Sequence, residues 1–271
     1  MIGSIAGDII GSIYEFHSIK TTEFPLFVTE SKFTDDSVLT LGIAKALLFR
    51  KKSRKKYNEN EIREIYKENI RSIGLRYPTA GYGGTFHNWL FMKIDKPYNS
   101  YGNGSAMRVS PIGFAFNSVE EVLNEAKYSA EITHNHPEGI KGAQAVALSI
   151  LLARNGFKKN EIKNEIEKRF KYDLNKSVND IRISYGFDIT CQGTVPEAII
   201  TFLESKDYED SIRQAISIGG DSDTIACING GIAQAYYKKI PKDIITNVLN
   251  HLDSTLIKIL IDFNKEFNVL Q

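Results

Sequence analysis

The sequence predicts an all-α fold, a packed bundle of helices forming one domain over residues 1–271, and three observations lead to it. Apolar residues recur every three or four positions along most of the chain, which is the spacing of one helix face. Alternation of apolar and polar residues with a period of two is nearly absent. The chain has neither an internal repeat nor a linker rich in Pro, Gly or Ser, so nothing divides it into two domains.

The helical segments follow one another along the whole chain. The first, residues 3–15, carries small residues at positions 3, 6, 7 and 11, which permit close approach of a second backbone. Segments with one apolar face follow at 38–48, 62–73, 122–130, 143–151, 198–202, 212–216, 225–237 and 244–263. Residues 24–28 and 180–190 are the candidates for short extended pieces.

Two capping patterns predict where helices begin. Ser118 with Glu121 fits a capping box, in which the Ser oxygen accepts a free N–H and the Glu reaches back to the Ser amide. Thr194 with Glu197 fits another, and Pro196 would then lie in the first turn, where its missing N–H costs little.

Composition and charge exclude several classes of protein. With 42% hydrophobic and 25% charged residues, we expect a soluble globular protein, without an export signal or a membrane span. Lys and Arg number 34 against 33 Asp and Glu, so the chain lacks the basic field that non-specific nucleic-acid binding needs. The basic run at 50–56 is interpreted as a solvated helix end. Two cysteines, Cys191 and Cys227, are too few for a disulfide framework, so we expect a cytoplasmic protein.

Acidic side chains are concentrated where two of the predicted helices begin. Asp35 and Asp36 precede one helix, and Asp221 and Asp223 precede another. Each pair alone is typical of an N-cap, but four carboxylates brought together would repel one another unless a cation held them. Oxygen ligands without cysteine favour Mg²⁺, Mn²⁺ or Ca²⁺ over Zn²⁺ or Cu²⁺. The prediction of a metal site therefore depends on the two segments meeting in space.

Two glycine-rich loops precede further predicted helices, at residues 81–86 and 101–108. Bare backbone N–H groups at a helix start can bind phosphate oxygens, although glycine-rich turns are also common without such a role. Neither loop ends in Gly-Lys-Ser/Thr, and neither lies in a strand–turn–helix unit, so a Walker loop and a Rossmann loop are both excluded.

A His-x-His pair lies before another predicted helix. His134 and His136 could together ligate a metal ion. The alternative, which we favour, is that His134 hydrogen-bonds a ligand and His136 is solvated.

In their order along the chain, these segments resemble the ADP-ribosylglycohydrolase family, which includes the dinitrogenase-reductase-activating glycohydrolase and the eukaryotic ADP-ribosylhydrolases. The resemblance covers almost the whole chain. It is carried by Gly3-x-x-x-Gly7-Asp8-x-x-Gly11-x-x-x-Glu15, Thr34-Asp35-Asp36-Ser37, Gly102-Asn103-Gly104-Ser105-Ala106-Met107-Arg108, Thr133-His134 and Gly220-Asp221-Ser222-Asp223-Thr224.

The resemblance implies an orthogonal all-α bundle around a binuclear Mg²⁺ centre, with Mn²⁺ as the alternative ion. The implied metal ligands are Glu15, Thr34, Asp35, Asp36, Asp221, Asp223 and Thr224. The implied substrate-binding residues are Gly83, Tyr101, Gly102, Asn103, Gly104, Ser105, Met107 and His134. The implied catalytic carboxylates are Asp36, Glu15 and Asp35, with Asp36 or Glu15 as the general base.

The expected function is then a metal-dependent hydrolase, acting as a monomer, that cleaves the ribose C1 bond of an ADP-ribosylated acceptor and releases ADP-ribose. The acceptor would be arginine, serine or another group, with nucleic acid entering only as a modified substrate. One alternative is a non-catalytic ADP-ribose-binding or immunity-type protein that uses the same pocket. Another is a structural helical protein whose Asp pairs are only caps. The complete set of carboxylates favours the hydrolase.

Overall fold

The chain is built from α-helices, as the sequence predicts. The computed structural model describes residues 1–269, and the last two residues of the predicted domain lie outside this range. Within it, sheet-like pairing is limited to one isolated bridge between Gly102 and Thr190. The helices are α1 (Ile2–Gly11), α2 (Asp35–Ser53), α3 (Glu59–Gly74), α4 (Gly84–Phe91), α5 (Gly104–Met107), α6 (Ser110–Ala115), α7 (Val119–Glu131), α8 (Pro137–Arg154), α9 (Lys159–Phe170), α10 (Val178–Ser184), α11 (Cys191–Glu204), α12 (Tyr208–Ser217), α13 (Ser222–Tyr237), α14 (Lys242–His251) and α15 (Ser254–Glu266).

One hydrophobic core joins these helices. Its buried side chains come from both ends of the chain and from the middle, among them Ile5 of α1, Leu41 of α2, Ile150 of α8 and Ile228 of α13. Burial of such apolar surface is the main term that stabilises the bundle. Across residues 1–269, no helix is both long enough and apolar enough to cross a membrane.

Glycines bring the backbones of α1 and α13 into close contact. An ideal Cβ placed on Gly7 would lie 2.0 Å from the carbonyl oxygen of Ala226, and one on Gly11 would lie 2.6 Å from the Cα of Asp223. Only a residue without a side chain fits there. The two backbones therefore touch where α13 begins, which brings Asp8 of α1 beside that helix start.

The beginnings and ends of helices test the capping predictions. Ser118 caps α7 as expected, because its Oγ accepts from the Glu121 amide at 3.2 Å, but the Glu121 carboxylate accepts from the Ser118 hydroxyl at 2.9 Å and not from its amide. The predicted start at Thr194 is wrong, because Thr190 caps α11 and accepts from the Gly193 amide at 3.1 Å. Pro196 consequently lies inside α11, where one helical hydrogen bond is lost.

Other local predictions need correction as well. Residues 24–28 form no strand, and residues 180–190 contain the end of α10 followed by a loop. The basic run at 50–56 does contain the end of α2, which stops at Ser53 before Arg54 with φ of 54°. Arg50 is not solvated, however, because its guanidinium pairs with the buried carboxylate of Glu125.

We expect Gly7→Ala to lower the free energy of unfolding by about 3 kcal/mol, because the added methyl group would overlap the α13 backbone. Urea denaturation followed by circular dichroism measures the loss. The matched control is Gly84→Ala at the first position of α4, where no atom lies within 4 Å of the added carbon. Equal stability of the two variants would contradict the close contact between α1 and α13.

Candidate metal centre and ligand cavity

The two acidic helix starts meet in the structure. One carboxylate oxygen from each of Asp8, Asp36 and Asp223 lies within 4.8 Å of the other two. A second group with the same spacing consists of Glu15, Asp221 and Asp223. Asp223 belongs to both groups, so the carboxylates form two adjacent sites that share one member. Either group could hold a metal ion.

Asp8 is the member of this cluster that sequence reasoning did not place among the candidate ligands. Its Oδ1 accepts from the Thr34 hydroxyl at 2.7 Å, and its Oδ2 accepts from the Thr34 and Ser37 amides at 3.0 and 3.1 Å. The Ser37 hydroxyl donates to Oδ2 as well. Asp8 therefore ties the start of α2 to α1. An aspartate buried in the apolar, glycine-rich first helix was the signal that could have identified it.

The surroundings of Asp36 fit a bound cation. Its Oδ2 accepts from the Thr224 hydroxyl at 3.2 Å, but its Oδ1 is buried without a hydrogen-bond partner among the described residues. A buried carboxylate oxygen with no donor is costly, and a cation satisfies it. The oxygen-only donor set of the cluster suits a hard divalent ion.

Capping does not explain Asp35, Asp36 or Asp221. Thr34 caps α2 by accepting from the Asp36 amide at 3.2 Å, so neither Asp35 nor Asp36 is needed for that purpose. Asp221 occupies the N-cap position of α13, yet its side chain makes no capping hydrogen bond. Instead it accepts from the Asn103 amide group at 2.6 Å.

Burial and mutual repulsion raise the pKa values of these carboxyls. Burial raises the pKa of Asp36 and that of Asp223 well above the usual value, and the neighbouring carboxylates raise both further. Burial, followed by the charge of Asp221, raises the pKa of Glu15 to about 7 against the opposing charge of Lys32. Burial, followed by the charge of Asp8, raises the pKa of Asp35 to about 8. The cluster thus resists ionisation unless positive charge is supplied.

A cavity of about 410 Å³ opens over the carboxylates. Most of the predicted site residues line it, and these are Glu15, Thr34, Asp35, Asp36, Gly83, Gly102, Asn103, Gly104, Met107, His134, Asp221, Asp223 and Thr224. Two predicted substrate-binding residues do not. The Ser105 hydroxyl is buried and donates to the Gly139 carbonyl at 2.7 Å, and the exposed Tyr101 ring lies beside His136. Asp35 lines the cavity but belongs to neither carboxylate group.

Both glycine-rich loops contribute backbone to the cavity wall. The first precedes α4, and an ideal Cβ on Gly83 or Gly84 would meet no atom within 4 Å. The second leads into α5, where an ideal Cβ on Gly104 would lie 3.1 Å from Nε2 of His134. The first loop is therefore open towards the cavity, and the second lies directly against the histidine ring.

The two histidines have different surroundings. His134 is buried and lines the cavity, and burial lowers its pKa well below the usual value. His136 caps α8, because its Nδ1 accepts from the Glu138 amide at 3.1 Å. Neither ring belongs to the carboxylate groups. The structure therefore gives the partly exposed His136 a capping role and leaves His134 facing the ligand space.

The comparison with known families agrees with this arrangement. The sequence profile of the ADP-ribosylglycohydrolase family matches residues 1–268, so the chain belongs to this family.

Individual relatives share about a quarter of their residues or fewer with this chain. The ADP-ribosylhydrolase ARH3 of mouse (Mus musculus) is 26% identical over an alignment of 312 positions, gaps included, which covers 88% of this chain and 82% of the mouse protein. The putative ADP-ribosyl glycohydrolase L543 of Acanthamoeba polyphaga mimivirus is 25% identical over 309 aligned positions, which cover 92% of this chain and 89% of that protein. A solved structure of an ADP-ribosylglycohydrolase-related protein complex is 21% identical with a TM-score of 0.69, covering 100% of this chain and 96% of that one. That likeness shows a shared fold.

The raised pKa values predict how stability depends on pH in metal-free protein. Glu15 and Asp35, with pKa values of about 7 and about 8, hold protons that the unfolded chain releases near pH ~4. Their contribution to stability is therefore complete below the unfolded pKa and is lost as pH rises through about 7 to 8. We expect the free energy of unfolding, measured in urea with EDTA, to fall between pH ~4 and pH ~8 less steeply in Asp35→Asn than in the wild type.

Asp262→Asn is the control for this experiment, because Asp262 lies on α15 away from the acidic cluster, where it pairs with Lys258. Its pH profile should follow that of the wild type. A profile of Asp35→Asn that also follows the wild type would contradict the shifted ionisation of this carboxyl.

Proposed function

We propose that this member of the ADP-ribosylglycohydrolase family is a metal-dependent hydrolase, acting as one domain, that cleaves the ribose C1 glycosidic bond of ADP-ribosylated acceptors. ADP-ribose would be the product. The observation that carries the proposal is the pair of carboxylate groups sharing Asp223 beneath a cavity whose wall includes two glycine-rich loops. The names of the mouse and mimivirus relatives point to the same reaction class.

Two divalent cations, Mg²⁺ or Mn²⁺, would be held by the two carboxylate groups, with the hydroxyls of Thr34 and Thr224 beside them. When bound, such ions act as Lewis acids that hold substrate hydroxyls and acidify water. Hydrogen bonds within the protein hold the proposed ligands in place. Asp8 fixes the start of α2 through the bonds that it accepts from Thr34 and Ser37, and this holds the Asp36 carboxylate near that of Asp223.

The remaining cavity residues would position the substrate. Asn103 connects the second glycine-rich loop to the acidic cluster, because its amide donates to Asp221 and to the Thr194 hydroxyl at 3.1 Å. The open backbone at Gly83 and Gly84 would face the pyrophosphate, while His134 would donate a hydrogen bond to the ligand. Holding the ribose over the carboxylates in this way lowers the barrier through orientation.

Two carboxylates could remove a proton from the attacking water. Both line the cavity, but Asp36 is buried and accepts from the Thr224 hydroxyl, whereas Glu15 is half-buried in the loop after α1. We assign the general base to Glu15, because its carboxylate is the more accessible of the two to water. Cleavage through an oxocarbenium-like transition state needs such a base near C1.

We expect Asp36→Asn and Asp223→Ala each to reduce turnover to below about 1% of the wild-type rate, since each removes a ligand of a proposed cation and a bound cation supplies several kcal/mol of transition-state stabilisation. Release of ADP-ribose from a modified acceptor measures the rate, and circular dichroism checks that the helices remain. Asp243→Asn, an exposed residue of α14, is the control with unchanged activity. Wild-type rates in either cluster variant would overturn the proposed centre.

The acceptor is identified by a release assay on arginine-, serine- and nucleic-acid-linked ADP-ribose, run with Mg²⁺, with Mn²⁺ and with EDTA. We expect release from at least one substrate with either cation and none with EDTA. Calorimetric binding of ADP-ribose without release from any substrate would favour a non-catalytic binding protein. If ADP-ribose is neither bound nor released, the acidic cluster has only a structural role.

A further inference from the structure

A fully buried arginine lies behind the ligand cavity without a carboxylate partner. Arg108 follows α5, and its guanidinium forms no ion pair with a carboxylate of the described residues. Its Nη2 donates to the Ser129 carbonyl at 3.0 Å and to the Thr133 hydroxyl at 2.8 Å. Its Nε and Nη1 are buried and have no partner in residues 1–269. Burial lowers the pKa of Arg108 only to about 10, so the side chain stays charged at neutral pH.

The arginine connects to His134 through one threonine hydroxyl. Thr133 Oγ1 lies 2.8 Å from Arg108 Nη2 and 2.7 Å from Nδ1 of His134. A guanidinium only donates, so the Thr133 oxygen must accept from Arg108. The hydroxyl proton is then free to be donated to Nδ1 of the histidine.

When Thr133 donates to Nδ1, this chain of donors places the histidine proton on Nε2. A neutral imidazole carries one proton, and an Nδ1 that accepts leaves that proton on Nε2. Burial, assisted by the charge of Arg108, lowers the pKa of His134 and keeps the ring neutral. Nε2 faces the second glycine-rich loop, 3.1 Å from the position of an ideal Cβ on Gly104, in the wall of the cavity.

We infer that Arg108 and Thr133 are positioning residues that hold the proton of His134 on Nε2, where it is donated to an anionic oxygen of the ligand. The unpaired charge of Arg108 adds a favourable field for the same anion. Only the identity of the ligand as ADP-ribose rests on the proposed function. The position of the proton is a property of the chain itself.

One neighbour could reverse the arrangement. The Tyr98 phenol also interacts with Thr133, and the Tyr98 ring lies 5.9 Å from that of His134. If Thr133 donated to Tyr98, His134 would have to donate from Nδ1 and would present a bare Nε2 to the cavity. A bare nitrogen repels a phosphate oxygen, so the two arrangements have opposite consequences for binding.

The direct test is the two-bond ¹H–¹⁵N spectrum of the histidine rings in the ligand-free protein. The chain has five histidines, and the His134 signals are assigned by their disappearance in His134→Gln. We expect a protonated Nε2 and a bare Nδ1. A protonated Nδ1, or a doubly protonated ring at neutral pH, would overturn the inference whether or not the protein binds ADP-ribose.

Variants of Thr133 extend the test to binding. Thr133→Val should give a mixture of tautomers and weaken ADP-ribose binding on the order of tenfold, equivalent to about 1.4 kcal/mol, while Thr133→Ser should restore both properties. The matched control is Thr201→Val. The Thr201 hydroxyl is also buried, accepts from the Asn229 amide at 2.9 Å and donates to the Ala198 carbonyl at 2.9 Å.

The comparison of the two Val variants separates positioning from folding. Both should lose stability, but only Thr133→Val should change the His134 spectrum and the affinity. An unchanged spectrum and affinity in Thr133→Val would give Thr133 a structural role only and overturn the inference. A wild-type protein with the expected spectrum but no affinity for ADP-ribose would instead remove the proposed function and leave the tautomer assignment in place.

Discussion

The structure depends on one electrostatic constraint, which is the burial of several carboxylates within a few ångströms of one another. Asp8, Asp36 and Asp223 lie together, and Glu15 and Asp221 adjoin them through Asp223. Such a cluster is unfavourable in isolation, because burial and like charges both oppose ionisation. The glycine contacts between α1 and α13, the capped start of α2 and the bonds to Asp8 hold it in place. The fold thus supports an arrangement of charge that cations would complete.

The sequence predicted most of the long helices and the acidic segments, because both leave local signals, but it missed α9 and treated α14 and α15 as one segment. Periodic apolar residues mark a helix face, and two Asp pairs at helix starts exceed what capping needs. Contacts between distant segments leave no such signal. The four bonds that Asp8 accepts across to α2, and the earlier cap at Thr190 that placed Pro196 inside α11, therefore emerged only from the structure. Ser105 matched a family motif, yet its hydroxyl is used within the protein.

The cavity wall carries both acidic and basic groups. Carboxylates from the starts of α2 and α13 and from Glu15 line it together with Arg108, His134 and glycine backbone. The proposed ligand, which has a cation-binding diol and an anionic pyrophosphate, offers a partner to both kinds of group. This arrangement follows from the fold, since the glycine-rich loops lie at the starts of α4 and α5 and the acidic residues at the starts of α2 and α13.

The most direct test of the central claim is anomalous diffraction from crystals of this protein soaked in Mn²⁺, recorded at the manganese absorption edge. We expect two peaks within coordination distance of the carboxylates, both contacted by Asp223, one on the side of Asp36 and the other on the side of Glu15 and Asp221. Saturating Mn²⁺ with no peak at this cluster, or with a peak coordinated by none of these residues, would contradict that claim.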